Sequence, residues 1–76
     1  MLIKFKNHTP KVGQNVLICD GAKIIGEVEI AENASIWYNC VLRGDVNYIK
    51  IGKNTNVQDL TTIHALAKSI SKAQKT

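Results

Sequence analysis

Arginine is nearly missing from this chain: of ten basic side chains only Arg43 is one, and histidine occurs twice, as His8 and His64. Aromatic residues make up 5% of the sequence and the net charge is +4. Lys68, Lys72 and Lys75 in the tail carry three of those charges, which leaves the rest of the chain at +1. A nucleic-acid surface needs a basic stripe with base-stacking aromatics on the folded body, so that partner is excluded. No apolar run approaches the roughly eighteen residues of a membrane span. Lys4, Lys6 and His8 interrupt the N-terminal apolar stretch and rule out a signal-peptide core. The two cysteines, Cys19 and Cys40, lack metal-site spacing and suit a reducing compartment, which predicts a cytoplasmic protein. Neither a Gly-rich phosphate loop nor a Ser/His/Asp nucleophile set is recognisable.

What the chain does have is a six-residue beat. Val12, Ile18, Ile24, Ile30, Ile36 and Leu42 stand six apart, and a smaller set follows each by four: Val16, Ala22, Val28, Ala34, Cys40 and Val46. Neither a helix period of about 3.6 nor free two-residue alternation selects residues this way. A period of six is that of a β-solenoid, each hexad being a short strand and a turn, with about eighteen residues to a triangular coil. The large residue points into the prism, and the small one points in near a corner. Lys23, Glu27, Glu29 and Glu32 then face solvent, and Gly13, Gly21 and Gly26 take turn-type positions. Cys19 points out and Cys40 in, so they do not pair. Trp37 follows an inward Ile36 and points out, as a packing or subunit-contact residue. An ordinary small sandwich of six short strands is the competing fold.

The beat stumbles after Leu42 and resumes at Ile51, Val57 and Ile63, with Thr55, Thr61 and Ala67 as the small set. Three extra residues lie within Gly44 to Ile49, read as a loop or bulge leaving the prism at one corner. The expected fold is all-β, a left-handed parallel β-helix of about three coils. Residues 1–11 form a lead-in strand, 12–64 the repeat and 65–76 a basic, non-repeat tail. Leu66, Ile70 and Ala73 have helical spacing, so the tail is expected to be a short helix or disordered.

The segment after the stumble carries Arg43-Gly44-Asp45, Ile51-Gly52, Asn56-Val57-Gln58-Asp59 and His64. From Pro10 to His64 the sequence closely resembles the γ-class carbonic anhydrase-like family of hexapeptide-repeat proteins. That resemblance implies a homotrimer and metal-dependent hydration of carbon dioxide, the metal being zinc, iron or cobalt. It implies that His64 is the first of three histidine ligands, and that Asn56 and Gln58 orient water or bicarbonate near the metal. It also implies that Arg43, Asp45 and Asp59 lie at the subunit interface, with Arg43 meeting carboxylates of a neighbouring subunit. A bidentate carboxylate partner is a reason to spend the single arginine there.

The departures from the family pattern are as specific. The family's two later histidines have no counterpart in this chain, and Val46 stands where the archetype has an acidic proton-shuttle residue. The expectation is therefore a C-terminally shortened member, inactive by itself, with a complementing segment that carries the missing coils as a possible partner. A hexapeptide-repeat acyltransferase and a non-catalytic assembly subunit are the alternatives. On the bland reading, His64, Asn56 and Gln58 are solvated surface residues and Arg43–Asp45 is a surface ion pair of about 0–1 kcal/mol.

Overall fold

The computed structural model describes residues 1–64 and 71–72. Its strands are β1 (Leu2–Ile3), β2 (Lys11–Val12), β3 (Leu17–Ile18), β4 (Lys23–Ile30), β5 (Ser35–Ile36), β6 (Val41–Ile51), β7 (Asn56–Val57), β8 (Thr62–His64) and β9 (Ser71–Lys72). All strand pairs are parallel. One sheet runs β3-β5-β7; the other runs β1-β4-β6-β8, with β2 on β4 and β9 on β6. This is a left-handed parallel β-helix of about three coils.

The register turns the sequence beat into stacked columns. Ile24 lies over Leu42 and Leu42 over Ile63. Ile18, Ile36 and Val57 form a second column, and Val12, Ile30 and Ile51 a third. Ile24, Ile30, Ile36, Leu42, Ile51 and Val57 are buried, with Ala22, Val28, Ala34, Cys40 and Thr55 in the corners. Each fully buried aliphatic contributes about 1.5–3 kcal/mol. The first coil departs from expectation: Val12 is 37% exposed and Ile18 only half-buried, because β2 and β3 are edge strands with no coil beneath them. The lead-in partly covers that end. β1 pairs with β4, Leu2 opposite Ile24, and the Met1 amine donates to the Ala22 carbonyl at 2.6 Å.

Two corners of each coil are tight turns that need a left-handed residue. Asn15, Asn33 and Asn54 fill one corner with φ of 58°, 63° and 60°; Gly21, Asn39 and Leu60 fill the other with φ of 79°, 58° and 64°. Asparagine tolerates this region better than other residues with a Cβ. At the third corner β4 and β6 pass without a break, and there Gly26 (φ +77°) lies against Gly44.

The interruption sits just beyond that glycine pair. Gly26 pairs with Gly44, but Val28 pairs with Ile49, so four residues of β6 oppose the single Glu27 of β4. The next coil is accordingly offset by three more residues, Val41 pairing with Thr62 where Lys23 pairs with Val41. The extra residues stay within β6 as a bulge. One inward position is corrected by this: Val46, expected in a small corner slot, is 59% exposed, and Ile49 is buried in its place. The expected tail helix falls mostly on residues 65–70 and 73–76, outside the described residues. Ser71–Lys72 is a strand, paired with Ile49–Lys50 at the β6 edge.

Candidate functional site

The bulge determines how the charged motif is displayed. Arg43 and Asp45 are two apart on β6 and point outward, while Gly44 between them is buried against β4. A Cβ on Gly44 would collide with the Glu27 carbonyl. His64 pairs with Arg43 on the next coil. This brings two side chains and one backbone N–H to a single carboxylate. Arg43 Nη2 donates to Asp45 Oδ2 at 2.9 Å, the Val46 N–H donates to Asp45 Oδ1 at 2.8 Å, and His64 Nε2 lies 3.1 Å from the same Oδ1. The side chains of Asp45 and His64 are 17% and 25% exposed. The hydrogen bond from Arg43 holds the Asp45 carboxyl below the usual carboxylate range, against partial burial acting in the other direction. Arg43 and Asp45 pair within the chain because two outward positions on one strand face the same way.

A second group stands on the β3-β5-β7 face. Ser35 pairs with Asn56 in register. The Ser35 hydroxyl donates to Asn56 Oδ1, and Trp37 Nε1 donates to Ser35 Oγ at 3.1 Å. Gln58 is exposed two residues beyond Asn56, and its backbone carbonyl accepts from the Cys40 thiol at 2.8 Å. Trp37 and Tyr38 are tilted together with ring centroids 6.3 Å apart. Asp59 lies exposed at the adjoining corner. Partial burial, then Asp59 and Asp20, push the Cys19 thiol up, so it is a weak nucleophile. Both cysteines are free.

The sequence-predicted residues therefore divide. Arg43, Asp45 and His64 come together; Asn56 and Gln58 stand on the other sheet, with the Asp59–Leu60 corner between. Ser35 and Trp37 were not singled out as site residues, although the coil repeat extended by the three-residue insertion would have aligned Ser35 with Asn56. Among the described residues no group of three or more His, Cys, Asp or Glu side chains is placed to hold a metal. A zinc site takes three or four protein ligands, so the described residues of one chain do not fit a closed metal centre. A recess of about 460 Å³ lies elsewhere, between the lead-in and the bulge, where His8 approaches Glu27 at 3.9 Å.

Comparison with known proteins adds sequence kinship to this geometry. Residues 9–44 match the family model "Bacterial transferase hexapeptide (six repeats)". The chain is 44% identical over 70 residues to "Gamma carbonic anhydrase 2, mitochondrial" of Arabidopsis thaliana, covering 92% of this chain and 25% of that protein. It is 41% identical over 69 residues to "Protein YrdA" of Escherichia coli (strain K12), covering 91% and 38%. Among solved structures, a Bacillus cereus protein put forward as an acetyltransferase superposes with a TM-score of 0.87 at 38% identity, covering 95% of this chain and 43% of the other. The chain thus spans between a quarter and about two-fifths of the lengths of these relatives.

Proposed function

Because the chain belongs to the γ-class carbonic anhydrase-like family of hexapeptide-repeat proteins, we propose that it supplies part of a metal-dependent carbon dioxide hydration site shared between chains. One observation carries this reading: the His64 face and the Asn56–Gln58 face belong to different sheets of one prism. Within one chain they stand on either side of the Asp59–Leu60 corner. They can converge between chains, if the Arg43–Asp45–His64 face of one copy meets the Asn56–Gln58 face of the next. Such a contact is heterologous, and with three copies it closes into a ring. Arg43 is half-exposed and its guanidinium has donors beyond the one Asp45 takes. Those donors and Asp59 at the corner are our candidates for the inter-chain contact.

In this reading His64 is a neutral imidazole ligand to zinc, iron or cobalt, the remaining ligands coming from a further period-six segment. Asn56 and Gln58 orient water or bicarbonate. In this reading the isolated chain is inactive, since His64 alone does not close a site. Sedimentation and elemental analysis test this. Arg43→Ala is expected to shift the assembly toward monomer, and the dialysed chain to keep less than one zinc per three chains. Hydration above buffer is expected only when a histidine-bearing segment is supplied in trans, and to vanish with His64→Ala. Stoichiometric metal in the isolated chain, or an assembly indifferent to Arg43→Ala, would overturn the shared-site reading.

The acetyltransferase-like neighbour favours a second reading. A histidine oriented by a carboxylate, as His64 is by Asp45, also suits a general base in acyl transfer. Thiol release from an acyl thioester that depends on His64 would select it.

A further inference from the structure

The recess between the lead-in and the β6 bulge is lined by charged groups that fall just short of one another. One wall is a closed turn: the Phe5 N–H donates to the His8 carbonyl at 2.9 Å and the His8 N–H to the Phe5 carbonyl at 3.0 Å. That turn holds His8 Nε2 3.9 Å from Glu27 Oε1. The floor is the backbone of Val28 and Ile49, register partners whose side chains are buried in the prism. Lys11, Glu29 and Lys50 stand in one cross-strand row on β2, β4 and β6, and Lys50 Nζ is 3.8 Å from Glu29 Oε1. Both separations exceed a direct hydrogen bond. Among the described residues neither carboxylate has a closer charged partner. Tyr48, half-buried in the bulge, lines the same recess, with Lys50 Nζ 5.9 Å from its ring centroid.

We propose that this recess binds a free α-amino acid with an apolar side chain, taken as the zwitterion. The lysine and glutamate charges lining it cancel, two against two, so no net charge on a ligand is favoured. A molecule carrying both signs is favoured. Glu27 takes its ammonium and Lys50 its carboxylate, while Glu29 keeps Lys11 as a cross-strand neighbour. Charge-assisted hydrogen bonds to the ligand thereby replace contacts that stand at 3.8 and 3.9 Å. The Tyr48 ring gives the ligand's side chain an apolar surface. A volume of about 460 Å³ lies within the range of about 300–1,000 Å³ usual for small-molecule sites. The recess shares no residue with Arg43–Asp45–His64 or with Asn56–Gln58, so it stands apart from the hydration reading.

Nitrogen-resolved NMR of the intact chain tests this without metal, assembly or catalysis. The probes are L-phenylalanine, its amide, which lacks the carboxylate, and N-acetyl-L-phenylalanine, which lacks the ammonium. With phenylalanine, saturable shifts are expected at the backbone signals of His8, Glu27 and Tyr48. Each blocked derivative should bind about tenfold more weakly, since it forfeits one hydrogen bond to a charged group. Glu27→Gln and Lys50→Met should each weaken phenylalanine binding about tenfold for the same reason. Both side chains are exposed, so the two variants should keep the native circular dichroism spectrum. Glu32→Lys, outside the recess, should leave binding unchanged. Equal affinity for the three compounds would make the recess an apolar surface only and overturn the proposal. Unmoved signals at His8 and Tyr48, or native affinity in both Glu27→Gln and Lys50→Met, would overturn it as well.

Discussion

Asp45 Oδ1 lies 3.1 Å from His64 Nε2 across nineteen residues of chain, and the three-residue insertion in β6 lies between them. The insertion bulges outward instead of leaving the sheet, so the strand resumes in register and His64 still lands beside Arg43. One carboxylate thereby serves an arginine, a backbone N–H and a histidine together.

That arrangement sets a pH dependence. The Asp45 carboxyl is held low in the folded state, first by its hydrogen bond from Arg43. A depressed folded pKa stabilises above the unfolded value of about 3.9, and the contribution is lost as pH falls through the folded value. The stability gap between the native chain and Asp45→Asn should therefore be widest near neutrality and close in acid. Urea unfolding at a series of pH values reads it. A gap that stays constant below pH about 4 would mean that Arg43 does not hold this carboxylate in solution.

Gly26 and Gly44 should resist substitution while Gly52 tolerates it. A Cβ on Gly26 would meet the Gly44 carbonyl at 2.6 Å with φ at +77°, and one on Gly44 would strike Glu27 backbone. At Gly52 the nearest atom is Thr55 Oγ1 at an ordinary 3.6 Å. Gly26→Ala and Gly44→Ala are expected to cost about 1–3 kcal/mol each, and Gly52→Ala to fall within about 0.5 kcal/mol of neutral. Chemical denaturation of the three variants decides whether the close backbone approach at this corner is real.

Much of this was legible beforehand, for a physical reason. A column of stacked residues must recur once per strand, so inward Ile24, Ile30, Ile36 and Leu42 announce themselves by period alone. What the period could not give was the response to an insertion. Continuing the small-residue count puts Val46 inside; the bulge puts Ile49 there. Likewise the turn glycines were read, but four of the six left-handed residues at the tight corners are asparagines and one is Leu60. The His64–Asp45 contact depends on how the bulge aligns two coils, which no local pattern encodes.

Ile30 and Glu32 make the inside–outside assignment directly testable. Ile30 is 1% exposed in the third column, and Glu32 is exposed at a turn. An unpaired carboxylate at Ile30 has no partner in an all-aliphatic column, and its desolvation costs several kcal/mol, comparable with the total stability of a domain this small. Ile30→Asp should prevent soluble folding, and Glu32→Lys should leave the circular dichroism melt nearly unchanged. Equal melts would mean that Ile30 is not inside.

Leu60 offers the opposite test, a substitution that should help. It sits at φ 64° and is 73% exposed, so it gives up a favourable backbone conformation without burying its side chain. Gly21 and Asn39, the equivalents in the two preceding coils, are residues for which this conformation is inexpensive. Leu60 N–H donates to the Tyr38 carbonyl at 3.0 Å, and that ladder bond survives any side-chain change. Leu60→Asn should therefore raise stability by about 1 kcal/mol, and Leu60→Gly by less, because glycine also gains freedom in the unfolded chain. A thermal melt reads both. Destabilisation by Leu60→Asn would mean that the leucine is covered in solution. The contact covering it would then lie at the Asp59 corner, on the side where a neighbouring Arg43 is proposed to dock.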